Sequence, residues 1–135
     1  MNQSTDRVRR LISDEVGECC ESDLENRLDE LREIADSTDP AAVDHDSTVC
    51  QALGSETRLR LLRYLAVADR QLCVCELEQL SDVSDSAVSH ALSDLHDAGL
   101  VVRDKRGKWR YYEPTDAATE LLATLDRLRP AGERR

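Results

Sequence analysis

Two cysteines one residue apart, in Leu72-Cys73-Val74-Cys75-Glu76-Leu77, are the groups in this chain best equipped for chemistry. Soft thiolate sulfur selects soft or thiophilic ions: arsenite and antimonite, or Cd, Pb, Zn and Cu(I). On an ideal helix residues i and i+2 point about 200° apart, so these two thiols share one ion only if the first turn opens. At a helix N-terminus that opening is expected, and the helix dipole there is expected to lower the thiol pKa values. A buried reduced cysteine is often just a small core hydrophobe. An i, i+2 pair cannot present both sulfurs to one core, which favours the ligand reading.

Cys19, Cys20 and Cys50 bring the count to five. No apolar stretch follows Asp6-Arg7-Val8-Arg9-Arg10, and no apolar run approaches the roughly 18 residues of a membrane span. The expected location is therefore the cytoplasm, where an odd set of thiols stays reduced and serves as ligands or inert groups before disulfides. No nucleophile paired with a base, no phosphate loop and no cluster of histidines with carboxylates stands in the chain, so no catalysis is expected.

The elements that must hold the thiols are legible from periodicity. Val83-Ser84-Asp85-Ser86-Ala87-Val88-Ser89-His90-Ala91-Leu92-Ser93-Asp94-Leu95-His96-Asp97-Ala98-Gly99 reads as a helix closed by glycine. Val88, Leu92 and Leu95 form its packing stripe, with Ala91 and Ala98 beside it. Asp85, Ser86, Ser89, His90 and Ser93 face away, short polar groups suited to the major groove. Upstream, a helix begins around Cys73 and runs through Leu77 and Leu80. Ser55 opens the helix of Leu59, Leu61, Leu62 and Leu65, and Asp46 or Ser47 caps the helix of Val49, Ala52 and Leu53, which Gly54 ends. Downstream, Leu100 to Arg103 and Lys108 to Tyr112 flank the charged turn Asp104-Lys105-Arg106-Gly107 as a β-hairpin. Trp109 and Tyr111 are expected to pack that hairpin on the core. From Thr115 a last helix carries Ala118, Leu121, Leu122, Leu125 and Leu128. Its leucine density exceeds what a small core requires, and with the helix of Cys50 it predicts a homodimer interface.

The fold expected is mainly α with a small β-hairpin, a winged helix-turn-helix over residues 46–135, preceded by an acidic helical arm over 1–45. In the arm a short helix carries Val8, Leu11, Ile12 and Val16. Ser22 and Glu25 give a capping-box signature for a second helix with the stripe Leu24, Leu28, Leu31 and Ile34, broken at Asp39-Pro40. Residues 1–50 hold 14 acids and 5 bases, whereas 51–135 hold 14 and 13. The formal net charge of -10 thus sits mostly outside the reader. Within it, Arg103, Lys105, Arg106, Lys108 and Arg110 surround the single acid Asp104, a local inversion of sign that favours phosphate clamping over a merely solvated face. Only two of the 18 bases are lysine, and aspartate leads glutamate 16 to 12. Such a composition suggests a salt-adapted cytoplasm.

From Thr48 to Leu128 the chain resembles the arsenical-resistance repressor family (ArsR/SmtB). The resemblance rests on Ala52-Leu53-Gly54-Ser55-Glu56-Thr57-Arg58-Leu59-Arg60-Leu61-Leu62, on Cys73-Val74-Cys75, on the glycine-closed helix and on Gly107-Lys108-Trp109-Arg110-Tyr111-Tyr112. It implies a dimeric winged-helix sensor that binds double-stranded DNA at a palindromic operator and leaves when an ion is captured. Cys-Val-Cys at this place is typical of arsenite, antimonite and cadmium sensors in the family. Two departures matter. Glu78 stands where a third cysteine is often found, so a third sulfur comes from Cys50, Cys19 or Cys20, or the site uses two. Asp85 replaces a common glutamine; it can accept from cytosine N4 but repels phosphate. Cys19, Cys20 and Cys50 form a separate site in the alternative arrangement. The family's zinc site on the last helix needs histidines, and Asp116 and Glu120 have none nearby. Two other readings stay open: a thiol redox sensor using the same cysteines, and a metal buffer or protein-docking winged helix that never touches DNA.

Overall fold

The computed structural model describes residues 3–133, so the extreme ends of both expected segments, residues 1–2 and 134–135, lie outside the described residues. The chain divides into two compact units, 1–43 and 44–135.

In the first unit α1 (Gln3–Val16) and α2 (Glu21–Asp36) pack through Ile12 and Leu24, which are buried. Gly17 turns the chain between them at φ +91°, a conformation that costs other residues more. Helix α2 starts earlier than the Ser22 signature predicts. Cys20 is its cap, in extended conformation, and the Cys20 backbone N–H donates to Asp23 Oδ2 at 3.4 Å. Asp23 wins because it sits three residues after a residue already extended, the spacing a box requires. An Arg27–Glu15 pair at 3.0 Å ties the two helices and raises the Arg27 pKa. Of the predicted stripe only Leu24 is buried; Leu31 and Ile34 are exposed.

Pro40 starts a helix as well as ending one. Helix α3 runs Pro40–Leu53, seven residues longer at its N-terminus than the Asp46 cap predicts. Proline fits a first helical position, whose N–H has no intrahelical acceptor, and Asp39 Oδ1 accepts from the Ala41 N–H at 3.0 Å.

The second unit continues with α4 (Glu56–Ala68), β1 (Leu72–Cys73), α5 (Val74–Leu80), α6 (Asp85–Asp97), β2 (Val101–Arg106), β3 (Trp109–Pro114) and α7 (Asp116–Leu128). Hydroxyl caps set three of these starts: Ser55 accepts from Arg58 N–H, Ser84 from Ala87 N–H and Thr115 from Ala118 N–H. Leu61, Leu62, Leu65, Leu77, Val88, Leu92, Leu95, Leu100, Val101, Tyr112, Ala118 and Leu122 form one core. Each fully buried leucine there contributes about 1.5–3 kcal/mol of transfer free energy. An Arg63–Asp126 pair at 2.8 Å also joins α4 to α7.

The sheet is antiparallel in the order β1-β3-β2, and its first strand was not visible in the sequence. The wing turn is tighter than expected: the strands pair out to Arg106 and Trp109, leaving only Gly107 and Lys108 as the loop, with Gly107 at φ +62°. Tyr112, and not Trp109, anchors the wing. Tyr112 is 3% exposed and pairs laterally with Leu72 and Arg103, whereas Trp109 is 47% exposed. Alternation along β3 decides this, because Tyr112 shares the core-facing side with Leu72 and Val101. Tyr111, on the other face, is half-buried. Among the described residues no helix is long and apolar enough to cross a membrane.

Candidate thiol and nucleic-acid site

Cys73 sits at the junction of β1 and α5, as the cap residue with φ -73° and ψ 152°. It therefore lies outside the helix, and the 200° argument does not apply to it. The Cys73 and Cys75 sulfurs are 3.1 Å apart, with Cys73 buried and Cys75 exposed. No helical turn has to open to bring them together. At a zinc-like bond length of about 2.3 Å, a tetrahedral ion needs roughly 3.8 Å between its sulfurs, and a pyramidal centre with near-right angles needs about 3.3 Å. The observed pair stands closer to the pyramidal value.

The thiols are framed by a charged lattice. Glu76 Oε1 accepts from the Cys73 backbone N–H at 2.9 Å, and Arg70 Nη2 meets Glu76 Oε2 at 2.5 Å. Arg70 and that backbone bond hold the Glu76 carboxyl below its usual range and keep it ionised. The Cys75 thiol goes the other way. Its hydrogen bond to Cys73, partial burial and the nearby negative groups raise its pKa, which corrects the expectation of a thiol acidified by the helix dipole.

Cys50 is exposed on α3, Cys20 is exposed at the start of α2, and Cys19 beside it is half-buried. Among the described residues no three His, Cys, Asp or Glu side chains gather where one ion would touch them all. The structure brings together Cys73 and Cys75 and leaves a third ligand to be supplied.

The reader is arranged as its stripe predicts. Val88, Leu92 and Leu95 are fully buried, while Asp85, Ser86, Ser89 and His90 are exposed and Ser93 is half-buried. Helix α6 ends in a glycine cap, with Gly99 at φ +77° and the Leu100 N–H reaching Leu95 O at 2.9 Å. Arg58, which periodicity did not single out, pins this helix. It donates from Nε to Ala52 O at 2.7 Å and from Nη2 to Gln51 O at 2.9 Å, and meets Asp94 Oδ2 at 3.3 Å. One guanidinium thus joins two carbonyls at the end of α3 to α6.

Arg103, Lys105, Arg106, Lys108 and Arg110 are all exposed on the wing. Lys108 Nζ lies 5.2 Å from the Trp109 ring centre. Arg106 is engaged more fully: Nε meets Asp104 Oδ2 at 3.0 Å, Nη2 donates to Gln71 Oε1, and the guanidinium covers the Tyr111 ring at 4.3 Å. Sequence reasoning gave Tyr111 only a packing role and did not single out Gln71, which precedes a strand of two residues that carries no alternation to read.

Residues 55–102, from the cap of α4 through the reader to the start of the wing, match the model of the bacterial regulatory protein family named arsR. A Halobacterium salinarum protein assigned as the arsenical resistance operon repressor ArsR is 46% identical, over 91% of this chain and 95% of its own. The chain belongs to the ArsR family of regulatory proteins. A second H. salinarum member, assigned as ArsR2, is 54% identical over 69% of this chain and 78% of its own. HlyU from Vibrio cholerae aligns with a TM-score of 0.58 at 27% identity, over 67% of this chain and 97% of its own. The homodimeric winged helix-turn-helix DNA-binding domain of Mb0332 from Mycobacterium bovis shares the fold at a TM-score of 0.61 and 24% identity, over 68% and 86%. As an ArsR-family member the chain is a winged-helix transcriptional regulator, with the β2–β3 hairpin as the wing.

The helix assigned to the dimer needs one correction. Leu122 is buried in the protomer's own core and Leu125 packs against it, because Ala118, Leu122 and Leu125 share the inward stripe of α7. Leu121 and Leu128 remain exposed. Leu121 lines an open groove of about 730 Å³ between α3 and α7, together with Val49, Cys50 and Ala117.

Proposed function

We propose that this regulator is a homodimeric repressor that binds a palindromic operator without ligand and releases it when a trivalent metalloid, arsenite or antimonite, is captured by Cys73 and Cys75. The observation that carries the reading is the sulfur pair, 3.1 Å apart, where β1 meets α5, the short helix that precedes the reader. Its short chord suits a pyramidal centre better than a tetrahedral one. The arsenical-resistance assignment of the H. salinarum relatives supports the same ion class. Cd, Pb and Zn are the secondary candidates.

The chemistry balances without an external base. Each thiol forms one S–As bond, one As–O bond breaks, and the thiol proton leaves with the hydroxide as water. Two thiols release two waters, and the third position keeps a hydroxide or takes a third thiol from Cys50, Cys19 or Cys20, in the same protomer or its partner. The exchange releases no net proton, so the raised pKa of Cys75 does not oppose it. Two-coordinate capture of Cd or Zn instead expels two protons and is disfavoured at low pH.

In the DNA complex α6 enters the major groove with Ser86, Ser89, His90 and Ser93 toward base edges and Asp85 at the margin. The wing cations clamp phosphate. The groove between α3 and α7 is where the twofold partner packs, and the cytoplasm is the expected site of action.

Cys73→Ser and Cys75→Ser test the proposal. Serine keeps the shape and removes the soft ligand, so each variant should bind a duplex from the gene's own upstream region as tightly as the parent and ignore arsenite. Full arsenite response in both variants would overturn it. The close sulfurs also favour a second reading, in which a peroxide takes two electrons and two protons from the pair, forming a disulfide and two waters. Release by peroxide that is reversed by dithiol reductant, with no release by arsenite, selects that reading.

A further inference from the structure

Strand pairing places Cys73, Tyr111 and Asp104 in one lateral row across β1, β3 and β2: Cys73 pairs with Tyr111, and Tyr111 with Asp104. Laterally paired residues share a face of the sheet, so this row runs from the sulfur site straight into the wing. Arg106 lies two residues beyond Asp104 on the same face and closes over the row. It stacks on Tyr111, binds the Asp104 carboxylate, and donates to Gln71, which is two residues before Cys73. Two side chains of the β1 end, Cys73 and Gln71, are thereby tied to a wing cation that aims at phosphate. Helix α5 offers a second route, since it leads through the turn at 81–84 to the reader. Helix α5 also packs against the reader, whereas the wing is joined to the sulfur strand by the paired ladder of β1 with β3 and by the Arg106–Gln71 hydrogen bond.

We propose that Tyr111 is a positioning residue for the response, and that ion capture at Cys73 reaches DNA through Tyr111, Gln71 and Arg106 in the wing. When an ion bonded to Cys73 and Cys75 takes a third ligand, the β1 end shifts against β3. The Tyr111 ring and the Gln71 acceptor move with it, and Arg106 loses the platform that aims it at phosphate. This inference rests on the ion-release reading above and adds the path. Neither Gln71 nor Tyr111 touches the ion in this account, so their substitution leaves ion capture in place; it removes the platform of Arg106 in advance, so DNA is already held more weakly and capture changes little.

The test compares the parent with Tyr111→Leu, Tyr111→Phe and Gln71→Met, measuring duplex affinity with and without sodium arsenite and, separately, arsenite uptake by thiolate absorption. The parent is expected to weaken by about 5- to 150-fold on arsenite addition, the range of typical coupling. Tyr111→Leu and Gln71→Met should take up arsenite as the parent does, bind the duplex more weakly than the parent before any arsenite is added, and weaken less than about threefold further when it is. Tyr111→Phe keeps the ring and should retain both the parental affinity and the response, which a role of the hydroxyl would not predict. If Tyr111→Leu does not fold, Gln71→Met alone carries the comparison, since it leaves the core untouched. A full response in both uncoupling variants would overturn the wing path while leaving arsenite sensing intact. An unresponsive parent would overturn the sensing reading and the path with it.

Discussion

Replacing Lys105 and Lys108 by alanine should flatten the salt dependence of DNA binding by an amount that follows from the wing's geometry. Both lysines are exposed near the tip of the hairpin, and Lys108 Nζ lies over the Trp109 ring. Arg106 is partly neutralised by Asp104, so it is left in place. If both lysines meet phosphate in both wings of a dimer, the variant loses four contacts. At about 0.9 per contact, the slope of log affinity against log salt falls by about 3.6. Raising salt from about 50 to 200 mM should then cost the parent roughly 150-fold more affinity than the variant. Anisotropy of a labelled duplex across a salt series measures this, and a scrambled duplex of equal length should show the same difference, because phosphate carries no sequence information. Thermal stability should barely move, as both side chains are exposed. Parallel salt plots for parent and variant would refute phosphate clamping by the wing.

Other outcomes follow from the packing and the thiols. Leu92→Ala should lower stability by about 2–5 kcal/mol in denaturant titration, since Leu92 is fully buried beneath the reader, while Ser89→Ala should leave stability within about 0.5 kcal/mol and weaken DNA binding. Leu121→Asp should shift the protein from dimer to monomer by light scattering at micromolar concentration, because Leu121 is the exposed leucine of the α3–α7 groove. Alkylation of Cys75 by iodoacetamide, followed by peptide mass mapping, should be slower at neutral pH than for an unhindered thiol. Its rate should keep rising past the ordinary thiol range, because a raised pKa leaves less thiolate below it. A rate that levels off at or below that range would contradict the hydrogen-bonded pair.

Much of the second unit was legible because its signals are periodic. Val88, Leu92 and Leu95 recur on one helical stripe and are all buried, and Ser55, Ser84 and Thr115 are hydroxyls at the residue before each stripe begins. The misreadings concern places where one residue serves two local rules. Pro40 ends one helix and suits the first position of the next. Cys73 looks helical by spacing, but its N–H is taken by Glu76 and its neighbour Leu72 by the sheet, so it stands as a cap with its sulfur turned toward Cys75. The raised pKa of Cys75 depends on that contact, which no one-dimensional spacing encodes. The row Cys73–Tyr111–Asp104 joins residues 38 positions apart, and a two-residue strand leaves no period to detect. In the arm, the stripe Leu24, Leu28, Leu31 and Ile34 identified the helix, yet a stripe records capacity for burial and only Leu24 realises it here.

Arsenite titrated into the reduced protein bound to a labelled operator duplex, with thiolate absorption and anisotropy recorded together, tests the central claim most directly. Capture at Cys73 and Cys75 predicts that absorption rises and anisotropy falls along one curve, ending at one arsenic per thiol pair. The Cys73→Ser,Cys75→Ser variant should show neither change while binding the duplex as the parent does. Release of the duplex from that double variant by arsenite would contradict the account and move the sensor to Cys19 and Cys20.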